Sequence, residues 1–179
     1  MFRLAHVTDP HFRGFEGLGL GALVGKRALG AVNLVVNRTR KHKMGLLEAL
    51  LHDLRAQAVD HLALTGDLSN ISIEAEWRSA LAWLDALGAP PESVTVIPGN
   101  HDTYVQDVVD SGVFERLFAP YQTRDVDLGL GSGEAYPFVR VRGDVALVGV
   151  VVAVDHELGA RAREHLGERR AVPQVAVLA

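Results

Sequence analysis

Three times in the first hundred residues a short apolar run breaks off into a polar loop, and after each of the first two runs comes a stretch with apolar residues at helical spacing. The runs are Phe2 to Thr8, Asp60 to Thr65 and Ser93 to Ile97, the last rich in β-branched side chains. Between them Leu47, Leu50, Leu51, Leu54 and Ala58 recur on one helical face, and so do Ile73, Trp77, Leu81 and Leu84. Ser72 reads as the cap of the second helix, with Glu74 and Glu76 in its first turn and Gly88 as its stop. Strand, helix, strand, helix, strand in this rhythm predicts a largely parallel sheet with right-handed crossovers. The first strand, short and apolar, is expected to be buried on both faces.

In such sheets ligands sit beyond the carboxyl ends of the strands. Asp9 and His11 follow the first run, Asp67 the second, and Asn100 and His101 the third, so the topology gathers them along one rim. The chain contains no cysteine, which leaves His, Asp, Asn and Glu as the possible metal ligands. Asp and His two residues apart on a tight loop can point at one ion, and a carboxylate on the neighbouring strand end can bridge two. Asn100 offers a neutral carbonyl oxygen. Such a donor set suits Mn2+, Fe or Zn2+, and two ions about 3.5–4 Å apart can clamp a phosphate for in-line displacement.

The remaining chain reads less sharply. Phe12 to Gly21 is glycine-rich and loop-like, Leu23 to Val36 and Glu157 to Arg169 read as helices, and Val113 to Phe118 as a short one. Tyr136 to Val141 and Asp144 to Val154 read as an antiparallel pair turning near Gly143, with a last strand at Gln174 to Leu178, so a second sheet is expected. A length of 179 residues suits one domain over 1–179. The net charge of -4 argues against wholesale nucleic-acid binding, which needs a broadly positive face. The apolar run from Val145 to Val154 falls far short of the ~20 residues of a membrane-spanning helix. With no signal-peptide pattern ahead of the first motif, a cytoplasmic address is expected. Arg38, Arg40, Lys41, His42 and Lys43 form a basic cluster, read as a solvated face or as an attractor of anionic substrate or lipid. His6, His52, His61 and His165 are read as packed or solvated rather than ligating, and Trp77 and Trp83 as packing residues.

The three loops, Asp9-Pro10-His11, Gly66-Asp67-Leu68-Ser69-Asn70 and Gly99-Asn100-His101-Asp102, stand in the order of the motifs DxH, GDxxN and GNHD. In this the sequence resembles the calcineurin-like metallophosphoesterases. The stretches TDPHF, DHLALTGDLSN and VIPGNHD look most like the bacterial branch that includes cyclic 3′,5′-nucleotide phosphodiesterases. The resemblance implies an α/β fold, an αββα sandwich of two mixed sheets. It also implies hydrolysis of phosphomonoesters or phosphodiesters, small molecules or nucleotides, by two divalent ions (Mn2+, Fe2+/Fe3+ or Zn2+). By that resemblance Asp9 and His11 bind the first metal, Asp67 bridges, and Asn100 binds the second. His101 then stands beside the substrate phosphate as proton donor or charge stabiliser, Asp102 orients its ring, and Asn70 supports the ligands from behind.

One part of the family pattern is missing. A His-His-Pro run and a GHxH motif are expected downstream, yet after Asp102 the sequence has just His156 and His165, neither in such a motif. The expectation is a domain whose C-terminal part is lost. It carries an alternative to the enzyme: a noncatalytic remnant that binds at most one metal and serves as an interaction module.

Overall fold

The structure, a computed structural model, describes residues 2–14, 44–103, 105–127, 135–151 and 174–178. The helices expected at Leu23 to Val36 and Glu157 to Arg169, the basic cluster, His156 and His165 lie outside the described residues. Strands β1 (Leu4–Thr8), β2 (His61–Thr65) and β3 (Val94–Val96) form a parallel sheet in the order β1-β2-β3. Helices α1 (Met44–Gln57) and α2 (Glu74–Leu87) belong to its crossovers.

β2 is buried at all its positions, whereas β1 is only partly covered. The expectation of a doubly buried first strand is therefore corrected: among the described residues β1 has a strand on one side only, and an edge strand keeps more of its surface in water. The sheet's two faces have different chemistry. Ala5 and Val7, Leu62 and Leu64, and Val94 and Val96 share one face and pack with Leu54, Trp77, Ala80, Trp83 and Leu84 of the helices. The other face carries His6, His61, Ala63, Thr65 and Thr95, and it is tied by polar contacts, His6 Nε2 to Thr65 Oγ1 at 2.8 Å and His61 Nε2 to Thr95 Oγ1 at 2.8 Å.

α2 departs from its expected start. The residue in the capping position is Ile73, with no side-chain cap, and Ser72 instead takes a left-handed φ of 54° and donates its hydroxyl to the carbonyl of His101. Gly88 does end the helix, left-handed at φ 73°, with its N–H on Asp85 O. After β3 come α3 (Asn100–Thr103), α4 (Gln106–Ser111) and α5 (Val113–Phe118). Phe114 of α5 meets the Trp77 ring edge-on at 5.9 Å, which locks this segment onto α2.

The second sheet contains the antiparallel pair expected, β4 (Phe138–Arg142) and β5 (Val145–Val150), with Gly143 left-handed in the turn, and the last strand, β6 (Gln174–Leu178), pairs antiparallel with β5. The α/β class with two sheets is thus present. Among the described residues the strands are not mixed within a sheet, since one sheet is parallel and the other antiparallel. Arg140 of β4 fastens the two together. It is fully buried and donates to Val94 O, to Thr95 Oγ1 and Tyr121 O at 3.2 Å each, to Pro91 O at 3.1 Å and to Thr123 Oγ1 at 3.2 Å. No described helix is long and apolar enough to cross a membrane.

Between the sheets His61 is completely buried, and burial, with help from the charges of Arg140 and Arg142, holds its pKa down to about 4. The folded state therefore excludes a proton that the unfolded chain accepts below its ordinary value of 6.5. This contribution is complete above that pH and is lost as pH falls towards 4, with a slope of up to about 1.4 kcal/mol per pH unit. Urea unfolding of wild type and His61→Gln between pH 7 and pH 4.5 is expected to show the flatter stability curve in the variant. Parallel curves would show that His61 is not the group responsible.

Candidate metal centre

The pairing of β1 with β2 continues past both strand ends. Asp9 N–H donates to Thr65 O at 3.0 Å, His11 N–H to Asp67 O at 3.0 Å, and Phe12 N–H to Leu68 O at 2.7 Å. Asp9 and His11 sit in left-handed backbone, φ 53° and 48°, which costs a non-glycine residue on the order of 1 kcal/mol each. The conformation is held by those three bonds, and it brings both side chains to the rim. The Asp9 carboxylate accepts from Thr8 Oγ1 and, at 3.4 Å, from Asp67 N–H.

Two glycines let the carboxylates lie against backbone. A Cβ on Gly66 would stand 2.9 Å from Asp9 Oδ1, and Gly66 is itself left-handed at φ 76°. A Cβ on Gly99 would stand 2.2 Å from Asp67 Oδ1 and 2.4 Å from Asp67 N. The glycines of the second and third loops thus make room for the carboxylates of the first and second.

Asp67 is the meeting point. Its Oδ1 accepts the His101 N–H at 2.7 Å, while Oδ2 lies 4.0 Å from His11 Nε2 and 3.9 Å from His101 Nε2. The imidazole tautomers follow from their other ends. His11 Nδ1 meets Ser69 O at 3.1 Å and His101 Nδ1 meets Asn70 O at 2.7 Å. A carbonyl only accepts, so each Nδ1 carries a proton, and Nε2, the nitrogen that holds the lone pair in the neutral form of each ring, is the one on the Asp67 side. Backbone carbonyls that fix the tautomer from behind are the usual support of a metal-binding histidine. The two rings stand edge to face, centroids 5.6 Å apart.

One ligand atom each from Asp9, His11 and Asp67 falls within 4.8 Å of the others. Two ligands on one ion at about 2.0–2.2 Å can stand up to about 4 Å apart, so modest closure would bring these three onto a common cation. The donor chemistry fits: two carboxylates and an imidazole lone pair, gathered at a strand-end rim. Asn100 opens α3, exposed, directly after the glycine that touches Asp67.

Asp102 does something other than expected. It is fully buried, and its oxygens accept Leu68 N–H at 3.0 Å, Ser69 N–H at 2.8 Å, Gly99 N–H at 3.0 Å and the Trp77 indole N–H at 2.8 Å. The expected orienting of His101 by Asp102 is therefore corrected, because the ring's Nδ1 is held by Asn70 O. Successive residues on a helical turn face different ways, which sends the two side chains apart. Burial pushes the Asp102 carboxyl up, and the four donors, which bond its ionised form, pull the other way.

Asn70 meets His101 Nδ1 with its carbonyl oxygen at 2.7 Å and donates its side-chain Nδ2 to Phe12 O at 2.8 Å. Sequence reasoning missed the carbonyls of Ser69 and Asn70, the indole of Trp77 and the buried carboxylate of Glu76. One signal for Glu76 was available: it stands three residues after Ile73, where a capping-box glutamate reaches back to backbone N–H groups.

A family model described as calcineurin-like phosphoesterase matches residues 2–157. No curated protein and no solved structure matches the chain.

Asp102→Asn replaces an acceptor oxygen by an amide that faces buried N–H groups. Urea unfolding at pH 7 is expected to show a loss of about 2–4 kcal/mol, because at least one buried donor loses its acceptor. Calorimetric Mn2+ affinity should weaken about 10–100-fold as the loops carrying the ligands are released. Unchanged stability and affinity would show that this carboxylate does not organise the site.

Proposed function

The chain belongs to the calcineurin-like phosphoesterase family, and from that premise we propose a metal-dependent hydrolase of small phosphomonoesters or phosphodiesters, with cyclic nucleotides among the candidate diesters. The observation that carries the reading is the convergence of Asp9, His11 and Asp67, with His101 Nε2 3.9 Å from the same Asp67 oxygen that His11 faces. In this reading Asp9 and His11 hold one ion, Asp67 is shared between two, and Asn100 adds a neutral oxygen to the second. Divalent ions bound there would neutralise phosphate charge, polarise the phosphoryl group and acidify an attacking water.

The protein's own part in the reaction centres on His101. With Nδ1–H bonded to Asn70 O, proton transfer is assigned to Nε2, which lies 3.9 Å from Asp67 Oδ2. In the imidazolium form Nε2 donates its proton to the leaving-group oxygen as the P–O bond breaks, and the ring returns to the neutral Nδ1–H tautomer. Its side chain is 32% exposed, enough for a substrate phosphate to reach it. Asp67 holds the His101 backbone through Oδ1, which keeps the proton donor and the shared ligand in one rigid piece.

A second reading, a noncatalytic module holding one ion, is favoured by a single feature. Three donors serve the first position, whereas the second draws, among the described residues, on Asp67 and Asn100, and Asp67 Oδ1 already accepts a backbone N–H.

Metal content and turnover separate the two. The expected result is about two ions per chain after Mn2+ loading, with hydrolysis of p-nitrophenyl phosphate or bis(p-nitrophenyl) phosphate that is abolished by EDTA and restored by Mn2+. His101→Asn should lower kcat about 10²–10⁴-fold with metal content retained. One ion or fewer and no turnover would leave the module reading standing and remove the hydrolase.

A further inference from the structure

Glu76 occupies the third position of its helix, where an acidic residue is ordinarily solvated, yet it is completely buried. Its two oxygens have separate duties. Oε1 accepts Asn70 Nδ2 at 2.9 Å, and Oε2 accepts the backbone N–H of Ile71 at 3.1 Å. Glu76 meets the backbone of the capping residue Ile73, as a capping-box glutamate does, and reaches further back as well, to the backbone of Asn70 and Ile71 on the loop that follows β2.

The Ile71 N–H and the Asn70 C=O belong to one peptide group. A trans peptide is planar, with its N–H and C=O pointing in opposite directions, so whatever grips one end aims the other. At the far end of this peptide the Asn70 oxygen accepts His101 Nδ1–H at 2.7 Å. The Asn70 side chain pins the same residue a second time, since Nδ2 bonds both Glu76 Oε1 and Phe12 O. The result is a carboxylate, a peptide group and an imidazole in line, each hydrogen bond polarising the next.

We propose that Glu76 is a positioning residue that acts through the Asn70–Ile71 peptide to hold the His101 ring in the Nδ1–H tautomer with Nε2 turned to the reaction site. The proposal rests on the phosphoesterase reading for its kinetic consequence and on geometry alone for its structural one. It also divides labour between the two buried carboxylates. Asp102 grips the peptides that support the metal-ligand loops, and Glu76 grips the peptide that aims the proton donor.

The test uses the whole chain loaded with diamagnetic Zn2+, comparing wild type, Glu76→Ala and the isosteric Glu76→Gln. Long-range 15N–1H correlation of the histidine rings reports the tautomer, with the His101 signals assigned by their loss in His101→Asn. Wild type is expected to show Nδ1–H alone, and Glu76→Ala a mixture of both tautomers. In the same variant kcat should fall about 10–100-fold, the range for removing a support behind a functional histidine, with KM within about two-fold and metal content unchanged. Glu76→Gln, which keeps one acceptor, should fall between the two. An unaltered tautomer in the folded variants would overturn the proposal, and so would a fall in kcat accompanied by loss of metal and a raised KM, which would mark a general brace. Should Glu76→Ala not fold, Glu76→Gln decides on the same two readouts. Should wild type itself show no turnover, the phosphoesterase reading fails while the tautomer comparison still decides the role of Glu76.

Discussion

The site is organised around one buried charge. Taking a carboxylate out of water costs several kcal/mol unless hydrogen bonds replace its hydration, and Asp102 is supplied with four N–H donors from three segments. Two of the donors belong to consecutive peptides, and their opposite ends matter as much. The peptide ending in Leu68 N–H begins with Asp67 C=O, which accepts His11 N–H. The next, ending in Ser69 N–H, begins with Leu68 C=O, which accepts Phe12 N–H. Through two rigid planes Asp102 therefore fixes the loop after β1 against the loop after β2, and through Gly99 N–H it closes its own loop after β3 onto both. Trp77 adds the helical layer, so core packing and site geometry share an atom.

With the backbone clamped this way, side-chain volume becomes the next constraint. Asp9 lies against Gly66 and Asp67 against Gly99, in each case closer than any Cβ would allow. The left-handed backbone at Asp9, His11 and Ser72 runs against local preference, and the surrounding hydrogen bonds hold it. Local rules are broken where three loops have to meet in a small volume, which is where a functional rim is expected to depart from regular structure.

The regular parts were legible because side-chain pattern reports them directly. The leucines of α1, the apolar stripe of α2, the glycine that ends it and the β4–β5 turn at Gly143 follow from periodicity and turn chemistry. The clustering of Asp9, His11 and Asp67 was legible too, because the topology of a parallel sheet puts successive strand ends side by side. The partial exposure of β1 was not, since an apolar strand reads the same at an edge as in the middle. Ser72 looked like a cap from its type and place, but its hydroxyl serves His101 O. Asp102 was misassigned and Glu76 passed over for a common reason. What each holds is a backbone N–H whose partner carbonyl faces elsewhere, and side-chain identity says nothing about how a peptide plane is turned.

Peptide orientation also sorts the acidic residues of the rim by role. Asp102 and Glu76 are buried, and each has both oxygens engaged by N–H donors, so their charge is matched within the protein. Asp67 gives one oxygen to a backbone N–H and turns the other towards the Nε2 atoms of two imidazoles whose Nδ1–H groups are bonded to carbonyls on the far side of their rings. Asp9 is exposed, and its nearest backbone donor stands at 3.4 Å. The first pair builds the scaffold and the second faces the opening. Two carboxylates and an imidazole gathered at one point form a donor set that a divalent cation would suit, and the hydrogen bonds behind them would keep the ligands in place on binding.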